Sequence, residues 1–331
     1  MTGTELAQTV LATSEPDRPR WPRWVWATVV CVATVDLAIL LSPIVSVDSE
    51  SWRILLLTWA TSAGLILAVH SRQCRGQTYA LVTGLAIALS LWPALKILNY
   101  VTMAYPLPLA DHMLAGWDQA LGLDWLAYVR WLDTHPVVIE IMALTYQGLI
   151  QYCCFAFILL LLIKGHERAM EFIKLFVISS VTVILLGPLL PAQGAMIYYA
   201  PDQAEFEFVS TTMGTYFWPP LQEVRASTHL YLDVTNLPGL VAFPSFHTTM
   251  GALLIYVSRG SLTLLVPSMM FNLIMIASTP LFGGHYFVDV IAGIMLAGAT
   301  IMVNKMLCRV DTIAQKTATV TAPTTLPVAA G

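Results

Sequence analysis

The chain contains repeated apolar stretches, most of them close to the length that an α-helix needs to cross a bilayer. A membrane-spanning helix takes about 20 residues, because each residue rises about 1.5 Å and the hydrocarbon core is roughly 30 Å thick. Of the 331 residues, 57% are hydrophobic and only 11% are charged, far fewer than a soluble domain carries. The pattern predicts an all-α integral membrane protein with about eight transmembrane helices. The predicted spans are residues 24–43, 54–70, 79–103, 137–163, 170–190, 241–258, 262–279 and 285–305.

The positive charges are distributed unevenly between the two faces that these spans define. Twelve Lys or Arg residues fall at one face, three (Arg53, Arg130 and Arg225) fall at the other, and Lys96 lies within a span. Positive residues concentrate at the cytoplasmic face of membrane proteins. We therefore expect a multi-pass protein of the plasma or inner membrane with both termini in the cytoplasm. The twelve residues are Arg18, Arg20, Arg23, Arg72, Arg75, Lys164, Arg168, Lys174, Arg259, Lys305, Arg309 and Lys316.

Neither a disulfide framework nor a nucleic-acid partner is expected. The five cysteines fall within predicted spans or on the cytoplasmic side, so no exterior loop carries a pair. Acidic residues gather in the exterior loops, which argues against nucleic acid. The first span ends at Pro43 without a small-residue cleavage site, so we expect it to be retained rather than removed as a signal peptide.

Two histidine motifs stand where predicted exterior turns meet apolar helices. They are Phe-Pro-Ser-Phe-His-Thr at residues 243–248 and Gly-Gly-His-Tyr-Phe-Val-Asp at residues 283–289. Residues four apart lie on one helix face, so Asp289 is expected beside the His285 ring. His285 follows His247 by 38 residues, enough for one helix across the membrane, a turn and one helix back. Both rings are therefore expected at the same membrane face, toward the periplasm or exterior.

The first motif has the features of a phosphate site at the start of a helix. Pro244 suits the first helical turn, where free backbone N–H groups and the helix dipole favour an anion. Those groups, the Ser245 hydroxyl and an arginine would hold a phosphate. Across the site, His285 would attack phosphorus with Asp289 setting its tautomer, and His247 would protonate the leaving oxygen. This scheme gives a phosphohistidine intermediate and needs no metal or other cofactor.

These motifs resemble those of the type 2 phosphatidic acid phosphatase superfamily, and within it the branch similar to inositol phosphorylceramide synthase. Residues 244–247 match the family's second motif, Pro-Ser-Gly-His, with Phe246 in place of glycine. Its third motif is Ser-Arg, five residues, His, three residues and Asp. The chain matches it in register from Ser278 to Asp289, with Thr279 in place of arginine. The family's first motif, Lys, six residues and Arg-Pro, has no match.

The resemblance covers roughly residues 79–305. It includes residues 111–125 and 225–246, which look like bacterial members of that branch. It implies that the last six helices form a bundle of the phosphatidic acid phosphatase type. It also implies a lipid phosphatase or phosphotransferase that acts on a lipid-linked phosphate headgroup. The acceptor is either water or the hydroxyl of a lipid or polyol, and the branch favours transfer.

Carried over residue by residue, the resemblance implies His285 as nucleophile, Asp289 as its orienting partner and His247 as general acid. Ser245 becomes a phosphate ligand. The lysine and two arginines of the family's motifs are missing here, so Arg225 is the candidate substitute cation, because it lies in the exterior loop that leads to the first histidine motif. Such a site should suit a phosphodiester better than a doubly charged monoester.

The predicted organisation includes two long exterior loops, residues 104–136 and 191–240. We expect the first loop to lie on the membrane surface. Its predicted interfacial anchors are Trp117, Trp125, Tyr128 and Trp131. The chain as a whole divides into residues 1–20 (flexible cytoplasmic N-terminus), 21–78 (two transmembrane helices), 79–308 (six-helix catalytic bundle) and 309–331 (disordered cytoplasmic tail).

Other interpretations of these residues stay open. Two histidines and a carboxylate also make a partial zinc site, and an interfacial histidine is often only an amphipathic anchor. Gly284, with Gly283, either lets its turn run close to a bound phosphate or simply forms a tight turn. Asp36, Lys96 and Glu140 lie in or near spans, where ionisable groups are rare. These three residues either pair with one another structurally or form an ion path through the membrane. The alternatives to a membrane-bound enzyme with a lipid substrate are therefore a transporter that uses such a path and a catalytically inactive scaffold.

Overall fold

The computed structural model describes residues 21–72 and 74–320, and regular structure there is almost entirely helical, as the apolar stretches predict. The helices are α1 (Arg23–Leu40), α2 (Ser49–Ser71), α3 (Gly76–Met103), α4 (Asp111–Ala120), α5 (Trp125–Asp133), α6 (Pro136–Gln147), α7 (Leu149–Lys164), α8 (His166–Leu186), α9 (Ala195–Tyr199), α10 (Trp218–Ala226), α11 (Phe246–Val257), α12 (Leu262–Phe282) and α13 (Phe287–Val320). Two short strands are β1 (Val45–Val47) and β2 (Leu230–Leu232). Short 3-10 helices are Gly187–Leu189, Gln203–Glu205 and Val234–Asn236.

Six of the described helices, α1, α2, α3, α8, α12 and α13, are long and apolar enough to cross a membrane. Helices α6 and α7 make a seventh span only when taken together, because they meet at an angle of 61°. Gly148 lies at this break, where a Cβ would come 2.8 Å from the Leu144 carbonyl oxygen. The predicted span 241–258 contains α11, whose 12 residues reach only about 18 Å. The all-α membrane fold is therefore confirmed, and the count of eight full spans is not.

Helix α11 lies inside the bundle, in contact with α8, α12 and α13. Its Leu253 and Leu254 are fully buried in an apolar cluster shared with α3, α7 and α8. Gly293 of α13 faces the start of α11, since a Cβ there would lie 2.7 Å from the Ser245 carbonyl oxygen and 2.9 Å from the Thr248 Cβ. Small residues let membrane helices approach closely, where van der Waals packing holds them. This approach places the first turns of α11 and α13 side by side.

The two N-terminal helices are joined to the bundle through a short parallel strand pair. Strand β1 pairs with β2, and Val45 lies opposite Leu230. The His229 ring lies 3.0 Å from the Pro43 carbonyl oxygen and 2.9 Å from the Ser46 hydroxyl. Hydropathy alone indicates no strand here. The pair ties the loop between α1 and α2 to the segment that leads to the first histidine motif.

Only part of the exterior segment 104–136 is available to a membrane surface. Trp117 and Trp131 are exposed, but Trp125 is 1% exposed and stacks on Tyr199 with ring centroids 5.6 Å apart. Tyr128 donates its hydroxyl to a backbone carbonyl of α12 at 2.6 Å. The expected anchoring role of Trp125 is therefore wrong, because its ring packs α5 onto the bundle, whereas that of the partly exposed Tyr128 stays a prediction.

The ionisable residues in and near the spans do not pair with one another. Asp36 on α1 is fully buried, and its carboxyl oxygens have no hydrogen-bond partner among the described residues. The Lys96 ammonium lies 4.4 Å from the centroid of the Trp92 ring, and Glu140 is exposed. Within residues 21–72 and 74–320, no ion pair joins any two of these three side chains.

The C-terminal end of the fold differs from the expectation of a tail that begins at residue 309. Helix α13 continues to Val320. Residues 1–20 and 321–331, which were expected to be flexible, lie outside the described part of the chain.

All five cysteines are free thiols.

Candidate active site

His285 and Asp289 meet at the start of α13. The His285 Nδ1 atom lies 3.2 Å from an Asp289 carboxyl oxygen, and that oxygen also accepts the Tyr286 backbone N–H at 2.9 Å. His285 is 4% exposed and Asp289 is fully buried. Asp289 lies in the first turn of α13 and His285 lies just before that helix begins, so the carboxylate and the imidazole face each other. A buried carboxylate fixed in this way orients the ring and favours the proton on Nδ1.

Ser245 connects the two histidine motifs. It caps α11 by accepting the Thr248 backbone N–H at 3.4 Å, and its own N–H donates to the Asp289 carbonyl oxygen at 3.1 Å. Its hydroxyl lies 3.2 Å from the His285 Nε2 atom. With the proton of His285 on Nδ1, the hydroxyl donates to Nε2. Ser245, expected as a phosphate ligand, thus contacts the candidate nucleophilic nitrogen directly.

Asp118 of α4 anchors the helix that carries the site. Its carboxylate accepts the backbone N–H groups of Phe287 at 2.9 Å and Val288 at 2.8 Å, the first free donors of α13. A negative charge there is also favoured by the helix dipole. Burial raises the pKa of Asp118, although the two backbone donors act in the opposite direction. These hydrogen bonds make Asp118 a cap of α13 that comes from a distant element of the chain.

Asp111 links the second histidine motif to the exterior loop. It accepts the Tyr286 hydroxyl at 2.8 Å and the backbone N–H groups of Gln193 and Gly194 at 3.0 and 3.1 Å. Asp111 is 4% exposed, and Tyr286 is fully buried. Both acidic residues of α4 therefore bind the chain beside His285 and are not open to a headgroup.

His247 lies in the first turn of α11 and borders a cavity of about 350 Å³. Its ring stacks on Tyr146, with centroids 4.2 Å apart and planes 10° apart. The Tyr146 hydroxyl is 3.0 Å from the Tyr216 hydroxyl. The cavity lies beside the bend between α6 and α7. Its lining residues are Tyr146, Gln147, Leu149, Ile150, Gly214, Tyr216, His247 and Phe282.

Gly283 brings His285 close to the same tyrosine. A Cβ at Gly283 would lie 2.5 Å from the His285 ring and 2.9 Å from the Tyr146 hydroxyl. Both histidines therefore adjoin Tyr146, one against its ring and the other near its hydroxyl. Gly284 has a φ of 66°, and the backbone of Gly214 leaves no room for a side chain on it. Its positive φ and backbone packing provide a tight turn, and the expected close contact of Gly284 with a phosphate stays a prediction.

Arg225 is not brought to this cluster. Its guanidinium donates to the carbonyl oxygens of Tyr105 and Leu107 in the exterior loop. The position where the family has an arginine holds Thr279, whose hydroxyl donates to the Ile276 carbonyl oxygen of its own helix at 2.8 Å. None of the described residues that line the cavity is a lysine or arginine.

A catalytic zinc site would need His247, His285 and Asp289, or an equivalent set of three ligands elsewhere, to converge on one ion. Among the residues that the structure describes, no group of three or more His, Cys, Asp and Glu side chains is placed to hold a metal ion.

The fold and site define a polytopic helical membrane protein in which His247 on the short helix α11 lies near His285 and Asp289 at the entry to α13. A family model described as "PAP2 superfamily" matches residues 112–303, more than half of the chain, and the protein belongs to that superfamily. Membership indicates an integral membrane protein with an activity of the phosphatase or phosphotransferase type. No curated protein and no solved structure matches the chain.

The sequence did not reveal Tyr146 and Tyr216 as members of the site. Tyr146 comes just before the bend at Gly148, within a run that reads only as apolar helix. Tyr216 lies in the aromatic run 216–218 of a long exterior loop, where aromatic residues usually indicate an interface. A single sequence carries no signal that would join residues 70 positions apart.

Proposed function

We propose that the protein transfers a phosphate-containing headgroup from a membrane lipid to a hydroxyl acceptor, through a covalent phosphohistidine on His285. The contacts around His285 carry this proposal. Asp289 accepts a hydrogen bond at Nδ1, which leaves the lone pair of Nε2 for attack on phosphorus. His247 borders the neighbouring cavity, where a substrate can be held.

In the first half-reaction, Nε2 of His285 forms a bond to phosphorus, and the bond from phosphorus to the leaving lipid oxygen breaks. His247, in its protonated form, gives its proton to that oxygen. The hydrogen bond from Ser245 to Nε2 must open for this attack, which frees the Ser245 hydroxyl to donate to a phosphoryl oxygen. The growing positive charge on His285 is stabilised by Asp289, whose carboxylate is buried against it.

In the second half-reaction, the acceptor oxygen attacks phosphorus and its proton passes to His247. The bond from phosphorus to Nε2 breaks, and His285 returns to its starting state. Water as acceptor makes the protein a phosphatase, and a lipid or polyol hydroxyl makes it a transferase. The resemblance of residues 111–125 and 225–246 to the inositol phosphorylceramide synthase branch supports transfer.

The site is assigned to the outer leaflet, with both termini in the cytoplasm. The excess of Lys and Arg at the opposite face supports this orientation. Helix α11 is about 18 Å long, so His247 at its start lies near headgroup depth if the helix ends at the cytoplasmic surface. A cysteine introduced at the exposed Gln222 should react with a membrane-impermeant maleimide in intact cells, and one at Arg72 only after permeabilisation. The reverse labelling would overturn the orientation.

The covalent intermediate provides the main test. Purified protein is incubated with phospholipid labelled in its phosphate, with and without alcohol acceptors, and in the presence of a chelator. Wild type should acquire acid-labile, base-stable label, and a labelled phosphodiester should form when an alcohol is present. Free phosphate without any new diester would make the protein a phosphatase, and loss of labelling with the chelator would favour a metal site.

Single substitutions assign the label. His285→Ala should abolish labelling and turnover while the protein remains folded in detergent. The matched control is His112→Ala, because His112 is an exposed histidine on the exterior helix α4. Normal turnover by His285→Ala would exclude this residue as nucleophile. Asp36→Asn should leave turnover intact, and a loss of turnover confined to that variant would favour the transporter interpretation.

A further inference from the structure

The polar groups that line the cavity carry no formal charge when His247 is neutral. Among the described lining residues, the polar side chains are those of Tyr146, Gln147, Tyr216 and His247. The missing family cations are therefore not replaced from within the cavity. Apart from the single charge that His247 carries as the protonated general acid, a phosphoryl group held here must be stabilised by neutral hydrogen-bond donors, as in an oxyanion hole.

The two tyrosines are placed to supply such donors. Their hydroxyls are 3.0 Å apart, and the residues come from separate segments, α6 and the loop before α10. Each phenol has one O–H proton. In the free site one hydroxyl donates to the other, and when a phosphate binds and this hydrogen bond opens, both protons are available to phosphoryl oxygens. Tyr146 is 8% exposed and Tyr216 is 48% exposed, so the pair extends from the interior of the cavity to its mouth.

The inner end of the pair lies next to the proposed nucleophile. Gly283 has the His285 ring and the Tyr146 hydroxyl within 3 Å of the same point, the position of a Cβ. A phosphoryl oxygen that accepts a hydrogen bond from Tyr146 is therefore close to His285. The Tyr146 ring also stacks on His247, which holds the phenol between the two histidines.

The charge of the substrate follows from these donors. At neutral pH, a phosphomonoester carries between one and two negative charges, because its second pKa is about 6. A phosphodiester carries one charge. Moving an anion from water into a buried site is unfavourable unless it is paired with cations, and the penalty grows with the unpaired charge. Protonated His247 offers one positive charge and the tyrosines are neutral, so the site favours the singly charged species.

We propose that the hydroxyls of Tyr146 and Tyr216 bind the phosphoryl oxygens in place of cations, and that the site selects a phosphodiester lipid over a phosphomonoester. This inference rests on the proposed function of His285, and it adds the substrate class and two phosphate-binding residues.

The first test removes the hydroxyls and keeps the rings. Tyr146→Phe and Tyr216→Phe should each lower kcat/KM for phosphatidylinositol, a phosphodiester, by about tenfold to a hundredfold, the effect of a lost hydrogen bond to a charged group. Tyr231→Phe is the matched control, because Tyr231 is an exposed tyrosine in β2. Equal kcat/KM for the control and both site variants would overturn the assignment of the tyrosines.

The second test compares substrates as the pH changes. The ratio of kcat/KM for phosphatidylinositol to that for phosphatidate, a monoester, should rise about tenfold per pH unit above the second pKa of the monoester, near 6. Ionisation of the free enzyme's His247, His285, Tyr146 or Tyr216 affects both substrates equally and cancels in this ratio. A ratio that stays constant with pH would overturn the selection by charge.

A third variant adds the missing charge. Gln147→Arg places a cation at an exposed position of the cavity wall and should raise kcat/KM for phosphatidate relative to phosphatidylinositol. An unchanged or lower ratio would contradict the electrostatic argument. Labelling of His285 separates the two proposals. If wild type forms phosphohistidine and the tyrosine variants are as active as wild type, only this inference fails. If wild type forms none with either lipid, the proposed function itself fails.

Discussion

Replacing Asp118 by Asn should destabilise the protein even though the side chain keeps its size. The Asp118 carboxylate accepts two backbone N–H groups of α13 at 2.9 and 2.8 Å and is fully buried. An amide has one acceptor oxygen, so one buried N–H would face an NH₂ group. A lost hydrogen bond to a charged group is worth about 1.5–3 kcal/mol, and the lost charge at a helix start adds about 0.5–1 kcal/mol. We expect the free energy of unfolding to fall by about 2–4 kcal/mol.

The measurement is equilibrium unfolding in mixed micelles, followed by helical circular dichroism. Asp124→Asn is the matched control, because Asp124 caps α5 through one hydrogen bond, from the Ala127 N–H at 2.9 Å, and Asn caps helices as well as Asp does. Turnover should fall in Asp118→Asn alone, since α13 positions His285. If the two variants were equally stable, Asp118 would not hold the start of α13.

Three further predictions concern packing and pH. Gly293→Val should separate α11 from α13 and abolish turnover. Gly298→Ala, where a Cβ meets nothing within 4 Å, should leave both turnover and thermal stability unchanged. Similar losses of turnover in the two variants would contradict the close approach of the helices at Gly293. Trp125→Ala should lower the free energy of unfolding by about 3–5 kcal/mol, and the exposed Trp131→Ala by less than about 1 kcal/mol, as measured by unfolding in micelles. The pKa of Asp133 is raised by partial burial and lowered by three backbone N–H donors, and the net shift is a lowering. The contribution of Asp133 to the stability of the folded state is therefore complete above its unfolded pKa and is lost as the pH falls through the folded pKa. The protection of the backbone N–H groups of residues 207–209 against hydrogen exchange, measured relative to the intrinsic exchange rate at each pH, should fall on acidification in wild type, and Asp133→Asn should remove that pH dependence.

The local parts of the site followed from short-range patterns. The spacing between His285 and Asp289 places the two side chains together through one turn of chain, whatever else surrounds them. The prediction of a helix beginning near Pro244 was correct to within two residues, although Ser245, expected within the first turn, is the N-cap and accepts the Thr248 N–H. Long apolar runs specify spans in the same way, because hydropathy acts residue by residue.

The parts that the sequence did not predict depend on residues far apart in the chain. Asp118 caps a helix that begins 169 positions later, and the Tyr146 hydroxyl meets Tyr216 across 70 positions. Arg225 was the sole arginine expected near the first histidine motif, yet its guanidinium binds carbonyl oxygens of the exterior loop. Closeness along the chain therefore did not predict the position of this cation, because the fold of the loop decides which hydrogen-bond acceptors the long Arg225 side chain reaches.

The membrane environment, the positions of most helices and the contact between His285 and Asp289 could be predicted from the amino-acid sequence. Each of these depends on interactions within one helix or between one residue and its solvent. The bend at Gly148, the hydrogen bonds from Asp111 and Asp118, and the tyrosine pair beside the histidines became known only from the fold. Those features arise only when separate helices pack, since each joins groups whose separation is set by the fold and not by the chain between them.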